Sequence, residues 1–120
     1  MAHYFISFND GDMKFPVEDF PAVAEASHAV MREAIDAGIW IYGGGFQGYS
    51  PRHVALTGEI VDGPIAQPNL WIGGFCVLDL PNDEEAMKWA HKIGVSCRCA
   101  QEVRRIMDDP EQSEALGKTR

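Results

Sequence analysis

The spacing of apolar and polar residues changes several times along this chain, and each change marks an element. Residues 3–9, HYFISFN, are dense in aromatic and β-branched side chains and stop at Asn9-Asp10-Gly11, which predicts a strand and a turn. From Asp19 to Ala37 the period becomes helical. At about 100° per residue, Phe20, Val23, Ala24, Ser27, Met31, Ala34 and Ile35 share one face. Asp19 suits the N-cap, Pro21 fits the first turn and Gly38 stops the helix. Ile39–Tyr42 reads as a second strand. Residues 52–61, RHVALTGEIV, read as a short strand, a tight Thr57-Gly58 turn and another short strand into Asp62. The most apolar strand, Trp71–Leu80, comes next, and Pro81-Asn82-Asp83 opens a second helix over 83–93. Its apolar face carries Ala86, Trp89, Ala90 and Ile93, with Lys88 and Lys92 opposite. Residues 101–107 fit both periods: Val103, Arg105 and Met107 alternate as in a strand, while Val103, Ile106 and Met107 suit a helix. Residues 108–120 are polar and read as a loose tail.

The order β-α-β-(ββ)-β-α, with a possible last strand, leaves two helices to cover one side of a sheet. The strands, however, are apolar on both sides: Tyr4, Phe5, Ile6 and Phe8, then Ile39 to Tyr42, then Phe75 to Leu78. A wet second face would expose more contiguous apolar surface than a soluble monomer normally carries. The simplest cover is a second copy, which predicts a homodimer with sheets face to face.

Composition narrows the partners. A chain of 120 residues is one domain, and its net charge of −8 argues against nucleic acid and against an anionic membrane surface. No apolar run is long enough to span a bilayer, and MAHYFISFNDGD has no basic n-region or cleavage site. Three cysteines, an odd number, make a poor disulfide framework, so a cytoplasmic location is expected. Cys97-x-Cys99 with His91 is too sparse for a structural zinc site, and neither a metal nor a cofactor is expected.

Candidate chemistry gathers around Asp62–Phe75, DGPIAQPNLWIGGF: an acidic group at a strand end, a rigid turn, a Trp and a glycine pair. Asp62 either caps the bend before Gly63-Pro64 or faces a ligand. On the first helix, Ser27 either bonds back to a helix carbonyl with His28 as a boundary residue, or both look into a cavity between helix and sheet. Gly43, Gly45 and Gly48 satisfy GxGxxG after a strand. A dinucleotide site needs a helix to begin there, and Tyr49-Ser50-Pro51 follow instead, so this is a glycine-rich loop only.

DGPIAQPNLWIGGFCVLDLPNDEEAMKWAHKI resembles the signature of the YCII-related proteins, DGPF-motif branch. The likeness extends to Met1–Tyr42 and to EVRRIMDDPE at 102–111. The resemblance implies a single domain over 1–107 with an α+β, ferredoxin-like sandwich: an antiparallel sheet, two helices on one face, and pairing into a dimeric α/β barrel. It also favours a strand at 101–107. It implies a His/Asp-centred site and small-molecule chemistry of the elimination type, and it hints at a regulatory role beside alternative sigma factors. Counting back from the helix-ending glycine, the family histidine falls at Ser27; here His28 lies one position on, rotated by about 100°. Ile65 stands for the motif's Phe, and 67–71 is more apolar than is usual in the family.

Two functions follow as expectations. In the first, a lyase or isomerase works by general acid–base catalysis. His28 shuttles the proton and Asp62 orients it, while Ser27, Trp40, Gly63, Pro64, Trp71, Gly73 and Gly74 shape the substrate pocket. In the second, the same pocket binds a small molecule without catalysis, as a binding or regulatory module.

Overall fold

A computed structural model describes residues 1–46, 51–63 and 71–117. The first strand, β1 (Ala2–Asn9), leads through a short 3-10 turn at Val17–Asp19 into α1 (Phe20–Asp36). Then come β2 (Trp40–Gly45), a ribbon of β3 (Arg52–Val54) and β4 (Ile60–Asp62), and β5 (Ile72–Leu80). The chain continues with α2 (Asp83–Cys97), β6 (Glu102–Arg105) and α3 (Pro110–Ala115). Four strands form one sheet in the order β2-β5-β1-β6, each pair antiparallel; β3 and β4 pair only with each other. With the ribbon set aside, this is a β-α-β-β-α-β chain, compatible with a ferredoxin-like α+β fold.

Strand alternation decides what is buried. Ala2, Tyr4 and Ile6 of β1 and Cys76, Leu78 and Leu80 of β5 point to the helix side and close a core with Ala34 of α1 and Ala86 and Ala90 of α2. Ile39, Trp40, Trp89, Ile93 and Val103 pack around it. The alanines let both helices sit close to the sheet, and Tyr4 Oη donates to Asp83 Oδ1 (2.6 Å), fixing the start of α2. The opposite sheet face carries His3, Phe5, Phe75, Val77 and Asp79. On it Phe5 and Phe75 stack at 5.3 Å between ring centroids.

Two details depart from the sequence-based expectations, and a third settles an open one. First, α2 runs to Cys97 rather than ending near Ile93, because Gly94-Val95-Ser96 continue the helix until Arg98 takes a left-handed conformation (φ 60°). Second, the segment after Met107 contains α3: Asp109 caps it by accepting from the Gln112 N–H, with Pro110 in the first turn. Third, where the two periods left 101–107 open and the resemblance favoured a strand, residues 102–105 form an edge strand through pairing with β1, Phe5 opposite Arg104 and Ile6 opposite Val103. Among the described residues no helix is long and apolar enough to cross a membrane.

Candidate functional site

Among the described residues two hollows stand out, one on each side of the sheet. The first, about 260 Å3, lies between the sheet and the two helices. Ser27, His28 and Met31 come to it from α1, Trp40 and the Gly43–Gly45 backbone from β2, Ile93 and Cys97 from α2, and Phe8 from β1. Three of the expected site residues, Ser27, His28 and Trp40, therefore meet at one cavity.

Its polar groups are largely committed to the backbone. Ser27 Oγ donates to the Ala24 carbonyl (3.1 Å) and Ser96 Oγ to the Ile93 carbonyl (2.8 Å). His28 is exposed at the rim, and Gln101 completes the polar lining. Burial pushes the Cys76 thiol up to about 12, helped by nearby Cys97, and burial raises Cys97 as well. A thiol held protonated at neutral pH is a poor nucleophile, so these cysteines line the cavity as small apolar groups.

Asp62 lies elsewhere. It ends β4 with its side chain 87% exposed, and its Oδ1 accepts from Arg52 Nε across the ribbon (3.1 Å). Gly63 follows in a left-handed turn (φ 99°), its N–H donating to the Pro51 carbonyl (2.8 Å), while its own carbonyl lies 3.3 Å from His53 Nδ1. Asp62 and Gly63 thus close a ribbon, and the described lining of the cavity does not include them. The expected His28–Asp62 pair is not brought together. The physical reason is that β3 and β4 pair with each other instead of joining the sheet.

Gly73 and Gly74 have a partner already. A β-carbon on Gly74 would stand 2.7 Å from Phe8 Cε1 and 3.1 Å from the Gly44 carbonyl oxygen, and one on Gly73 would stand 2.8 Å from Phe8 Cε2. The glycine pair makes room for the Phe8 ring within the fold. Trp71 is half-buried just before β5, and its carbonyl accepts from the Asp10 N–H. Pro64 lies outside the described residues, as does Gly48 of the glycine-rich loop.

The second hollow, about 1310 Å3 and open-sided, lies over the sheet face opposite α1 and α2, bounded by β1, β2, β5, β6 and the α3 segment. His3, Phe5, Ile41, Val77 and Arg104 line it. His3 and Asp79 are cross-strand partners here, with His3 Nε2 3.8 Å from Asp79 Oδ1. Both atoms are buried, and neither has a hydrogen-bond partner among the described residues. Sequence reasoning passed over this pair. Its one signal was a carboxylate inside the most apolar run of the chain, Phe75-Cys76-Val77-Leu78-Asp79-Leu80.

Among the described residues no group of three His, Cys, Asp or Glu side chains is placed to hold a metal ion. The chain matches no family model, and no curated protein is significantly similar to it.

Proposed function

We propose that this chain is a small-molecule-binding protein of the YCII-related, DGPF-motif type. In this reading it holds a compact aromatic or apolar guest between its helices and sheet and works as a homodimer. The observation that carries the reading is the state of the cavity's polar groups: two hydroxyls spent on helix carbonyls and a thiol kept protonated, around a wall of Phe8, Met31, Trp40 and Ile93. Such a wall binds by excluding water from a flat guest. Burying about 150 Å2 of aromatic surface at about 25 cal/mol per Å2 is worth about 4 kcal/mol, the binding energy of a millimolar complex. Tighter binding needs a polar anchor, and His28 and Gln101 stand where one is needed.

Indole is a suitable probe. Titrated into the 13C-labelled protein, it is expected to shift the Met31 methyl and Trp40 ring signals saturably. His28→Ala should change its affinity by no more than about threefold, the scale of one exposed hydrogen bond. Indole that moves neither Met31 nor Trp40 would refute the reading.

A second reading, a lyase or isomerase using His28 as acid and base, draws support from the imidazole at the cavity rim, within reach of a guest's polar end. With Asp62 paired to Arg52, His28 would act without that carboxylate. Any turnover that His28→Ala abolishes while leaving indole affinity intact would favour catalysis over simple binding.

A further inference from the structure

We propose that the helix-side cavity selects its guest by a hydrogen bond to the side-chain carbonyl of Gln101, and so takes a neutral heteroaromatic that presents an N–H. The inference rests on the binding reading above and names the chemistry of the guest.

Gln101 is half-buried and reaches the cavity from the segment between α2 and β6. Gly94, inside α2, makes its place. A β-carbon on Gly94 would stand 2.9 Å from the Cys99 carbonyl oxygen and 3.5 Å from Gln101 Cγ. A glycine inside a helix is less favourable than an alanine, and here the missing side chain lets the chain return close against the helix. The Cys99 N–H donates to the Gly94 carbonyl (3.1 Å) and holds that return.

The Gln101 amide is thereby committed on one side. Its Nε2 donates to the Cys99 carbonyl (3.4 Å) and lies 3.5 Å from Cys99 Sγ. A primary amide carries two N–H donors and one carbonyl acceptor. With the donors turned to Cys99, Oε1 is the open atom, and it makes no hydrogen bond among the described residues.

The rest of the wall is biased the same way. Ser27 and Ser96 direct their hydroxyl hydrogens to helix carbonyls, so each offers the cavity lone pairs only. The side-chain N–H donors in the lining, besides the committed amide, belong to the rings of Trp40 and His28, and His28 is at the rim. Among the described residues no Lys, Arg, Asp or Glu lines the cavity. An ionised guest would give up its hydration without meeting a counter-charge, so the wall favours a neutral one. An N–H facing Gln101 Oε1 completes a bond. A ring nitrogen bearing a lone pair there sets acceptor against acceptor, and both stay unpaired. A hydroxyl donor brings lone pairs of its own into this acceptor-rich wall, whereas a pyrrole-type N–H brings none.

Indole and quinoline separate these cases. Both are flat, bicyclic and uncharged at neutral pH; indole donates through its N–H, while quinoline only accepts. Followed by the Met31 methyl and Trp40 ring signals of the full-length protein, indole should bind about fivefold tighter than quinoline, or more. Gln101→Met keeps the side-chain length and removes the amide, so the two ligands should come within about twofold of each other. The side-chain carbonyl 13C signal of Gln101 should move with indole and stay still with quinoline, and it decides the matter if Gln101→Met does not fold. Equal affinities in the unaltered chain, a preference that survives in Gln101→Met, or a Gln101 carbonyl unmoved by indole would overturn the selection and leave the cavity's binding role standing. If neither ligand moves Met31 or Trp40, the binding reading itself fails, and the selection with it.

Discussion

Cys76 is the side chain whose surroundings make the firmest statement about solution behaviour. It lies in the middle of β5 under the helices, and burial, with Cys97 nearby, holds its thiol protonated up to about 12 against an ordinary 9.0. Above pH 9 the unfolded chain releases this proton while the folded chain retains it, so the unfolded state gains with rising pH. The thiol's contribution is therefore fully present below about 9 and is lost as pH climbs towards 12. Between about pH 8 and about pH 10, urea unfolding should show the unaltered chain losing about 1 kcal/mol more than Cys76→Ala does. Equal losses would mean the thiol is wetter than its surroundings imply. That Cys76 is core was legible from its place in an apolar strand. The roles of Asp62 and of the glycine pair were not: the first depends on which strand Arg52 pairs with, the second on Phe8 lying across β5. Both are cross-strand facts, and residue spacing along one strand carries no information about its neighbour.

Among the elements, α2 is the best specified by local chemistry. Asn82 Oδ1 accepts from the Glu85 N–H (2.9 Å), and Asp83, Glu84 and Glu85 place negative charge where the helix dipole favours it. At the other end Arg98 takes the left-handed position and donates to Asp19 at the start of α1 (2.8 Å), tying the two helices together. Asn82→Ala should cost about 1 kcal/mol in urea unfolding, and Asn82→Asp should recover most of it. A neutral Asn82→Ala would mean that the Tyr4–Asp83 bond alone fixes the helix start. The Pro81-Asn82-Asp83 start could be read from the sequence because capping is a matter of three or four adjacent residues. The ends were harder. Residues 101–107 satisfied two periods at once, and only the β1 edge, remote in sequence, makes 102–105 a strand. The cap of α3 at Asp109-Pro110 was legible in kind, but the polar residues that follow masked it.

At the scale of the molecule the described fold is a plate, 44 × 39 × 21 Å, with a radius of gyration of 16.1 Å. A compact domain of this length would have about 13.6 Å. The excess comes with one helix layer on one sheet and with a ribbon whose Val54, Leu56 and Ile60 stay exposed. That α1 and α2 share one side of the sheet, and that the strands are apolar on both faces, was legible from element order and alternation alone, since neither needs knowledge of pairing. A second copy over the Phe5–Phe75 face is the arrangement proposed here. Sedimentation should give a dimer at micromolar concentration, and Phe5→Glu should weaken it by at least about tenfold, because a charge would be buried in the contact. A single species of monomer mass in the unaltered chain would count against it. The ribbon has a consequence of its own. Before the chain departs into it, Gly45 already faces Gly74 and the Phe46 N–H already bonds the Gly73 carbonyl, so the β2–β5 ladder is complete at that point. The ribbon of β3 and β4 therefore hangs from a finished hairpin. Its length and composition can drift, or be redesigned, without unzipping the sheet below.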